Sequence, residues 1–339
     1  MASNRAAFMT APKAHPLEVR PSKLGEPSAD QILIKNHALA INPIDGKLQR
    51  HALYPLTCPT ILGQDVAGEV ISIGPNITRF QPGDRVLGQA AGFTTGKDEE
   101  TGFQEYTVLE TRLAAHIPAN VSYERAVVLP LCLSTAASGL FNKDILNLNL
   151  PTTPAATPNG KTILIWGGAS SVGSNAIQLT RAAGYEVVTT CSPKNFDKVI
   201  SLGAVRVFDY ASASVVEDIV SFLKDKDFVG AFDAVGGEGA VKSLEVVRQV
   251  DGVKIVATAP PGFPETPEGV KIVKVFAPSI MGNGIAKAVY EGFLDAALAS
   301  GSYVPAPEPL IAGKGLESVQ DAIDLLAKGI SAQKIVVLL

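Results

Sequence analysis

The sequence is poor in the residues that build covalent and metal-held frameworks. Its three cysteines, Cys58, Cys132 and Cys191, lie far apart in 339 residues. That spacing argues against a disulfide framework and for a reducing compartment. Of the four histidines, His15, His37, His51 and His116, no two stand at ligand spacing. Excess positive charge is also missing. There are 29 Lys and Arg against 33 Asp and Glu, a net charge of −4, without a long run of one sign. Nothing here favours a nucleic-acid partner. No apolar run approaches the ~20 residues of a membrane helix. The opening MASNRAAFMT lacks the apolar core of a secretory signal. The expectation is a cytoplasmic protein with neither nucleic acid nor membrane as partner.

What is present points to well-packed globular structure, with 46% hydrophobic and 18% charged residues. The length favours two domains over one core. Residues 1–125 read as short strands separated by Gly/Pro turns: Asp30–Ile41, Asp65–Ile73, Phe80–Leu87 and a strand opened by Gly102–Tyr106. That texture predicts a small β-barrel-like domain. Residues 122–142 read as two helical stretches interrupted at Pro130. The Pro/Thr/Asn-rich segment 147–159 reads as a surface loop. From Lys161 strands and helices of about ten residues alternate, which predicts βαβ units and a parallel sheet. Helices near 288–299 and 316–328 and the terminal KIVVLL, a returning strand, complete the chain.

Thr162–Leu179, TILIWGGASSVGSNAIQL, is the stretch around which the rest is arranged. A buried strand, a small-residue turn and a helix N-terminus gather free amides and a positive dipole end, which suit a phosphate. The turn departs from G-x-G-x-x-G. Gly168 is expected at the sharp bend, Gly173 where helix and strand approach, and Ser171 stands in place of a glycine. Gly168, Ala169, Ser170, Ser171 and Val172 are the expected phosphate contacts. The next strand ends Thr-Thr-Cys-Ser-Pro-Lys-Asn, without the acid that would accept from a ribose hydroxyl. Ser192, Lys194 and Asn195 supply donors and charge instead, which suits a 2′-phosphate and hence NADP(H). Tyr210 is placed beside the adenine, with a sheet-end tyrosine as the competing reading. Val235, Thr258 and Ala259 follow strand ends, where ligands of parallel sheets bind.

INPIDGK at 41–47, GQDVAGEV at 63–70, FQPGDRVLG at 80–88, GFQEY at 102–106, PLCLSTAASGL at 130–140, GGASSVG at 167–173 and SLGAVRVFDY at 201–210 together resemble the medium-chain dehydrogenase/reductase superfamily over nearly the whole length. FAPSIMG at 276–282 and the proline-rich insertion before the first parallel strand are similar to its fungal branch of trans-acting polyketide enoyl reductases and related oxidoreductases. The resemblance implies an α/β fold, a doubly wound Rossmann sheet plus a GroES-like β-barrel domain. The expected division is 1–125 with 288–339 for the GroES-like catalytic domain and 126–287 for the Rossmann NADP-binding domain.

Zinc members of the superfamily need Cys/His/Cys ligands. Here Asn42 to Asp45 stand where the first cysteine would be, and Gln64 and Asp65 where the histidine would be. Cys132 alone falls near a ligand position, and 88–102 lacks the structural cysteines. The expectation is no metal, with Asp65 pairing with Arg85. Reduction of a C=C conjugated to a carbonyl then fits better than oxidation of a simple alcohol, because a few positioned donors can stabilise the growing oxyanion. By resemblance, Asn42 lies beside the nicotinamide, Ser134 and Thr135 touch nicotinamide or substrate, and Lys334 reaches the cofactor. Lys47, Thr135 and Tyr54 are the catalytic candidates, Tyr54 as proton donor. For Asn42 and Lys47 a turn cap and a solvated helix residue compete. The function expected is an NADPH-dependent enoyl or enone reductase acting on a hydrophobic small molecule or a carrier-bound acyl chain. The rivals are an NADPH quinone oxidoreductase and a non-catalytic NADP-binding scaffold. A monomer and a homodimer joined through 270–278 are both open.

Overall fold

The computed structural model describes residues 3–262 and 264–339. The chain divides into two units, Met1–Leu131 with Glu308–Leu339, and Cys132–Pro307.

The first unit begins with β1 (Asn4–Met9), β2 (Glu18–Ser22), β3 (Gln31–Ala40), α1 (Pro43–His51), β4 (Thr60–Ile61), β5 (Asp65–Ile73), β6 (Arg85–Gln89) and α2 (Gly92–Thr95). It continues through β7 (Tyr106–Glu110), β8 (Ala114–His116) and α3 (Tyr123–Ala126). Strand β3 is its spine. Ile32, Leu33 and Ile34 at one end and Ala38, Leu39 and Ala40 at the other are all buried, so both faces of β3 are covered, and β3 pairs with β5 and β7. Helix α1 starts where Asn42 N–H donates to Asp45 Oδ2 at 2.8 Å, with Pro43 at its first position. That is a capping-box arrangement of Asn42 and Asp45, with proline where its missing N–H costs nothing.

The second unit opens within α4 (Pro130–Phe141). The run Tyr123–Phe141 is long and apolar enough by composition to cross a membrane, but 83% of it is buried within the protein. Then follow β9 (Lys161–Trp166), α5 (Ser171–Ala182), β10 (Glu186–Cys191), α6 (Phe196–Ser201), β11 (Arg206–Asp209), α7 (Val215–Leu223), β12 (Asp227–Asp233), α8 (Glu238–Gln249), β13 (Ile255–Thr258) and β14 (Lys271–Lys274). The six strands are parallel in the order β11-β10-β9-β12-β13-β14. This is the Rossmann order, with its switch point between β9 and β12. The apolar runs of β9, β12 and β13 are buried on both faces, as central parallel strands are. A π-helical segment, Lys287–Leu294, leads into α9 (Asp295–Ser300). Both lie in the second unit, whereas the sequence reading assigns everything from 288 to the first domain. Tyr290, Phe293 and Leu294 are buried, and Tyr290 bonds Ser134 on α4, which ties the segment there.

The chain returns to the first unit with β15 (Glu308–Lys314), α10 (Val319–Ala327) and β16 (Gln333–Leu338). Strand β16 pairs with β15 on one side and β3 on the other, as its KIVVLL text suggests. The expected barrel does not close among the described residues. Strands β15-β16-β3-β5-β6-β8, with β7 on β3, form one sheet and β2-β1-β4 a separate one. Strand β4 has only two residues, too few to carry a ladder from one sheet to the other.

Candidate active site

In the second unit, local sequence builds a phosphate cradle. The chain leaves β9 at Gly167, whose φ of +84° favours glycine. The sharp bend therefore falls one residue before Gly168. Gly168 is needed for closeness instead: a Cβ there would lie 2.2 Å from Thr189 Oγ1, and one on Gly173 would lie 2.2 Å from the Gly167 carbonyl oxygen. Ser170 caps α5, its Oγ accepting the Gly173 N–H at 3.0 Å. Ser171 is the first helical residue and is half-buried with Val172, while Ala169 is buried beside them. The remaining first-turn amides lie at the carboxyl edge of a parallel sheet, where anions bind.

The neighbouring strand ends are tied by a residue the sequence reading did not single out. Asp233 is fully buried, and its carboxylate accepts the Val235 and Gly236 N–H groups, each at 3.0 Å, and the Thr258 hydroxyl at 2.7 Å. Ala259 N–H goes to the Asp233 carbonyl at 2.9 Å. Thr258 and Ala259 thus hold β12 and β13 together, leaving Val235 exposed beside Gly167. After β10, Ser192 Oγ donates to the Tyr210 hydroxyl at 3.4 Å across 18 residues. Lys194 is exposed on the same turn, and Asn195 N–H closes it on the Ser192 carbonyl. Ser134 is fully buried and shares a 2.8 Å hydrogen bond with the Tyr290 hydroxyl, while Thr135 beside it is half-buried.

In the first unit the polar centre is assembled from distant stretches. Asp65 at the start of β5 is wholly buried. Its Oδ2 accepts Lys334 Nζ at 2.9 Å and Asn42 Nδ2 at 2.8 Å, and its Oδ1 accepts the Leu131 N–H at 2.6 Å. Lys334 also donates to Asn42 Oδ1. Lys334 is 3% exposed, so a buried ion pair joins α1, β5 and β16. The expected Asp65–Arg85 pair is not formed. The Arg85 guanidinium donates to the Pro118 and Val121 carbonyls and stacks on Tyr123. The difference is one of reach, since the β16 lysine enters the core while Arg85 covers the β6 edge.

Asp45, on the buried face of α1, was also not among the expected site residues. Burial pushes its carboxyl up to about 7, with the Asp65 charge adding to the rise and the Asn42 amide and Lys334 opposing it. The pattern Asn-x-x-Asp before a helix is the signal that could have found it. Lys47 on α1 is half-buried. Tyr54 packs edge-on against Phe93, ring centres 5.5 Å apart.

Zinc ligation does not fit these residues. Both oxygens of Asp65 are committed to donors, one a cation, and Asn42 is held in the same network. Among the described residues no group of three His, Cys, Asp or Glu could hold a metal ion.

A Rossmann sheet with a Gly-rich helix entry, joined to a β-domain built from both ends of the chain, defines a nucleotide-dependent oxidoreductase architecture. Residues 28–119 match the model for the alcohol dehydrogenase GroES-like domain, and 171–291 that for the zinc-binding dehydrogenase. The chain is 51% identical, over 99% of its length and 98% of the relative's, to the zinc-binding alcohol dehydrogenase domain-containing protein cipB of Emericella nidulans. It is 40% identical to the trans-enoyl reductase himH of Aspergillus japonicus, covering 98% of this chain and 97% of that one. A solved alcohol dehydrogenase superfamily protein from Novosphingobium aromaticivorans superposes with a TM-score of 0.79 at 25% identity, over 99% of each chain. The chain belongs to the medium-chain dehydrogenase/reductase superfamily and is an oxidoreductase of that family.

Proposed function

We propose that the protein is an NADPH-dependent reductase of carbon–carbon double bonds conjugated to a carbonyl, working without a metal ion on a hydrophobic or carrier-bound acyl substrate. The observation that carries this reading is the Asp65–Lys334–Asn42 cluster. It puts a paired ammonium where the zinc members of the superfamily need open ligands. A reaction needing no Lewis acid suits such a site, and the relative named a trans-enoyl reductase supports it.

The cradle formed by Gly167 to Val172 and the α5 amides fits a pyrophosphate. The turn with Ser192, Lys194 and Tyr210 fits a 2′-phosphate better than a free ribose hydroxyl, since β10 ends without an acid. When bound there, NADPH supplies a hydride for the β carbon. Ser134, fixed by Tyr290, and the adjacent Thr135 orient the nicotinamide side of the site. Lys47 and the Tyr54 hydroxyl serve as donors to the oxygen on which charge grows and to the α carbon.

The test is NADPH oxidation by the purified protein against panels of enones, enoyl thioesters and quinones, with metal content measured alongside. Turnover of enones or enoyl thioesters without stoichiometric zinc is expected. Turnover of quinones alone, or one zinc per chain, overturns the reading. Lys194→Ala should weaken NADPH binding about tenfold, the scale of a lost charge-assisted hydrogen bond, and leave NADH binding unchanged. Equal losses for both cofactors would remove the 2′-phosphate assignment.

A further inference from the structure

What the cradle offers a phosphate is the first amides of α5, and each amide N–H moves with the carbonyl across its own peptide plane. The carbonyls of this turn are held from the protein side. Ser174 Oγ donates to the Gly168 carbonyl at 3.2 Å, which fixes the plane carrying the Ala169 N–H. Asn175 Nδ2 donates to the Ser171 carbonyl at 2.8 Å, which fixes the plane carrying the Val172 N–H. Ser174 and Asn175 are fully buried. A carbonyl only accepts, so the NH2 end of the Asn175 amide faces Ser171 and Oδ1 points away from it. There the Tyr303 hydroxyl donates to Oδ1, from 128 residues further along the chain. Tyr303 is buried, its ring edge-on to Phe293 at 5.7 Å. Val304 beside it exchanges two hydrogen bonds with Gln178, its N–H donating to Oε1 at 2.9 Å and its carbonyl accepting from Nε2 at 3.1 Å. Asn175 and Gln178 lie one turn apart on α5, so residues 303–304 are docked along its buried side. Burial pushes the Tyr303 hydroxyl well above the ordinary tyrosine range, with Tyr290 and Cys132 adding to the rise. The hydroxyl therefore keeps its proton, and its role as donor, in ordinary buffers. We propose that Tyr303 and Asn175 are positioning residues for a pyrophosphate: the Tyr303 hydroxyl sets the Asn175 amide, and that amide aims the Val172 N–H out of the helix end at the ligand.

The inference rests on the reading of the cradle as a dinucleotide site and adds two residues that act on it from behind. Two effects run in the same direction. The first is orientation. Without the Tyr303 hydroxyl nothing obliges the buried amide to keep Nδ2 towards Ser171. Turned over, it sets Oδ1 against the carbonyl oxygen and tilts the plane that carries the Val172 N–H. The second is polarisation. Hydrogen bonds in a chain strengthen one another by ~10–30% per bond, so a Ser171 carbonyl that accepts makes the Val172 N–H a better donor. The turn with Ser192, Lys194 and Tyr210 follows a different strand, β10, and is held by its own bonds. A 2′-phosphate bound there is expected to be indifferent to Tyr303.

The experiment is calorimetric binding of three ligands to the full chain: NADP⁺, ADP-ribose, which keeps the pyrophosphate and lacks the 2′-phosphate, and adenosine 2′-monophosphate, which does the opposite. Tyr303→Phe should weaken NADP⁺ and ADP-ribose about fivefold each, the scale of one net hydrogen bond, and leave adenosine 2′-monophosphate unchanged. In an Asn175→Ala background the same substitution should add nothing further, because Tyr303 acts through that amide. Unchanged binding of both pyrophosphate ligands overturns the proposal. So does an equal loss for all three, which is what a general loosening of the fold would give. If Tyr303→Phe does not fold, Asn175→Ala, which keeps the Tyr303 ring against Phe293, is read by the same criteria. If the unmodified protein binds ADP-ribose as tightly as NADP⁺, the 2′-phosphate reading falls, and the loss on ADP-ribose still decides this proposal. A preference for NADP⁺ with no loss in the variant would do the reverse. Failure of both pyrophosphate ligands to bind the unmodified protein would overturn both.

Discussion

The two units build their polar sites in opposite ways. In the second unit the cradle is local: Gly167, Ser170 and Gly173 lie within seven residues of chain, and what it offers is mostly backbone amides. In the first unit the centre joins Asn42, Asp65 and Lys334, with the Leu131 amide, from four separate stretches. A local site costs little to assemble, because the strand–turn–helix that forms it would form anyway. A non-local one is held only by the fold around it, and it contains an ion pair taken out of water. The first should fail gently when altered and the second steeply.

The largest effect is therefore expected in the first unit. Lys334→Met keeps length and apolar stem but leaves the Asp65 carboxylate buried opposite no cation. Removing one partner of a buried pair costs about 3–5 kcal/mol, so denaturant unfolding should show a loss of that size. Adding Asp65→Asn should recover much of it, since the charge left behind is what costs. A loss below ~1 kcal/mol would mean that water reaches the pair, and the contrast between the units would collapse.

Asp45 gives the same comparison a pH axis. Its folded carboxyl titrates at about 7, above its ordinary 3.8. Between those values the native state holds a proton that the unfolded chain has released, so this group's contribution to stability falls as pH rises through the interval and is lost above it. Asp45→Asn removes that titration. The stability difference, variant minus unmodified protein, should climb across the interval by an amount on the order of a few kcal/mol and then level off. A flat difference would show that burial does not hold the proton.

How much was legible in the sequence follows the same division. The Rossmann strands and the helix entry could be read because each is a short-range pattern of apolar runs and small-residue turns. The returning KIVVLL strand was legible for the same reason. Strands β1, β2 and β15 were not, because Pro21 and the exposed positions of β2, and the half-exposed pattern of β15, blur their periods. The sharp bend was placed one residue late, since Gly167 and Gly168 cannot be told apart without φ. Asp65 was expected beside Arg85, because nothing local says that residues 65 and 334 meet. Asp45 was passed over because a capping acid ordinarily faces water, and only the burial of α1 changes its chemistry.

The smallest expected effect tests the gentle end of the contrast. Ser170 accepts the Gly173 N–H at 3.0 Å and caps α5. Ser170→Ala removes that bond at a half-buried position, and loss of such a cap costs about 1 kcal/mol. In the absence of cofactor, unfolding should shift by that amount and no more. On the proposed reading, NADPH would bring its own acceptors to the same amides. With saturating cofactor the freed Gly173 N–H gains a partner, so the gap between Ser170→Ala and the unmodified protein should narrow. A gap that stays constant would mean that the phosphate sits clear of the first turn of α5, and that the cradle lies elsewhere along the β9–β12 edge. A gap that widens would mean that Ser170 itself bonds the phosphate, and the hydroxyl would then count among the binding groups and not only as a cap.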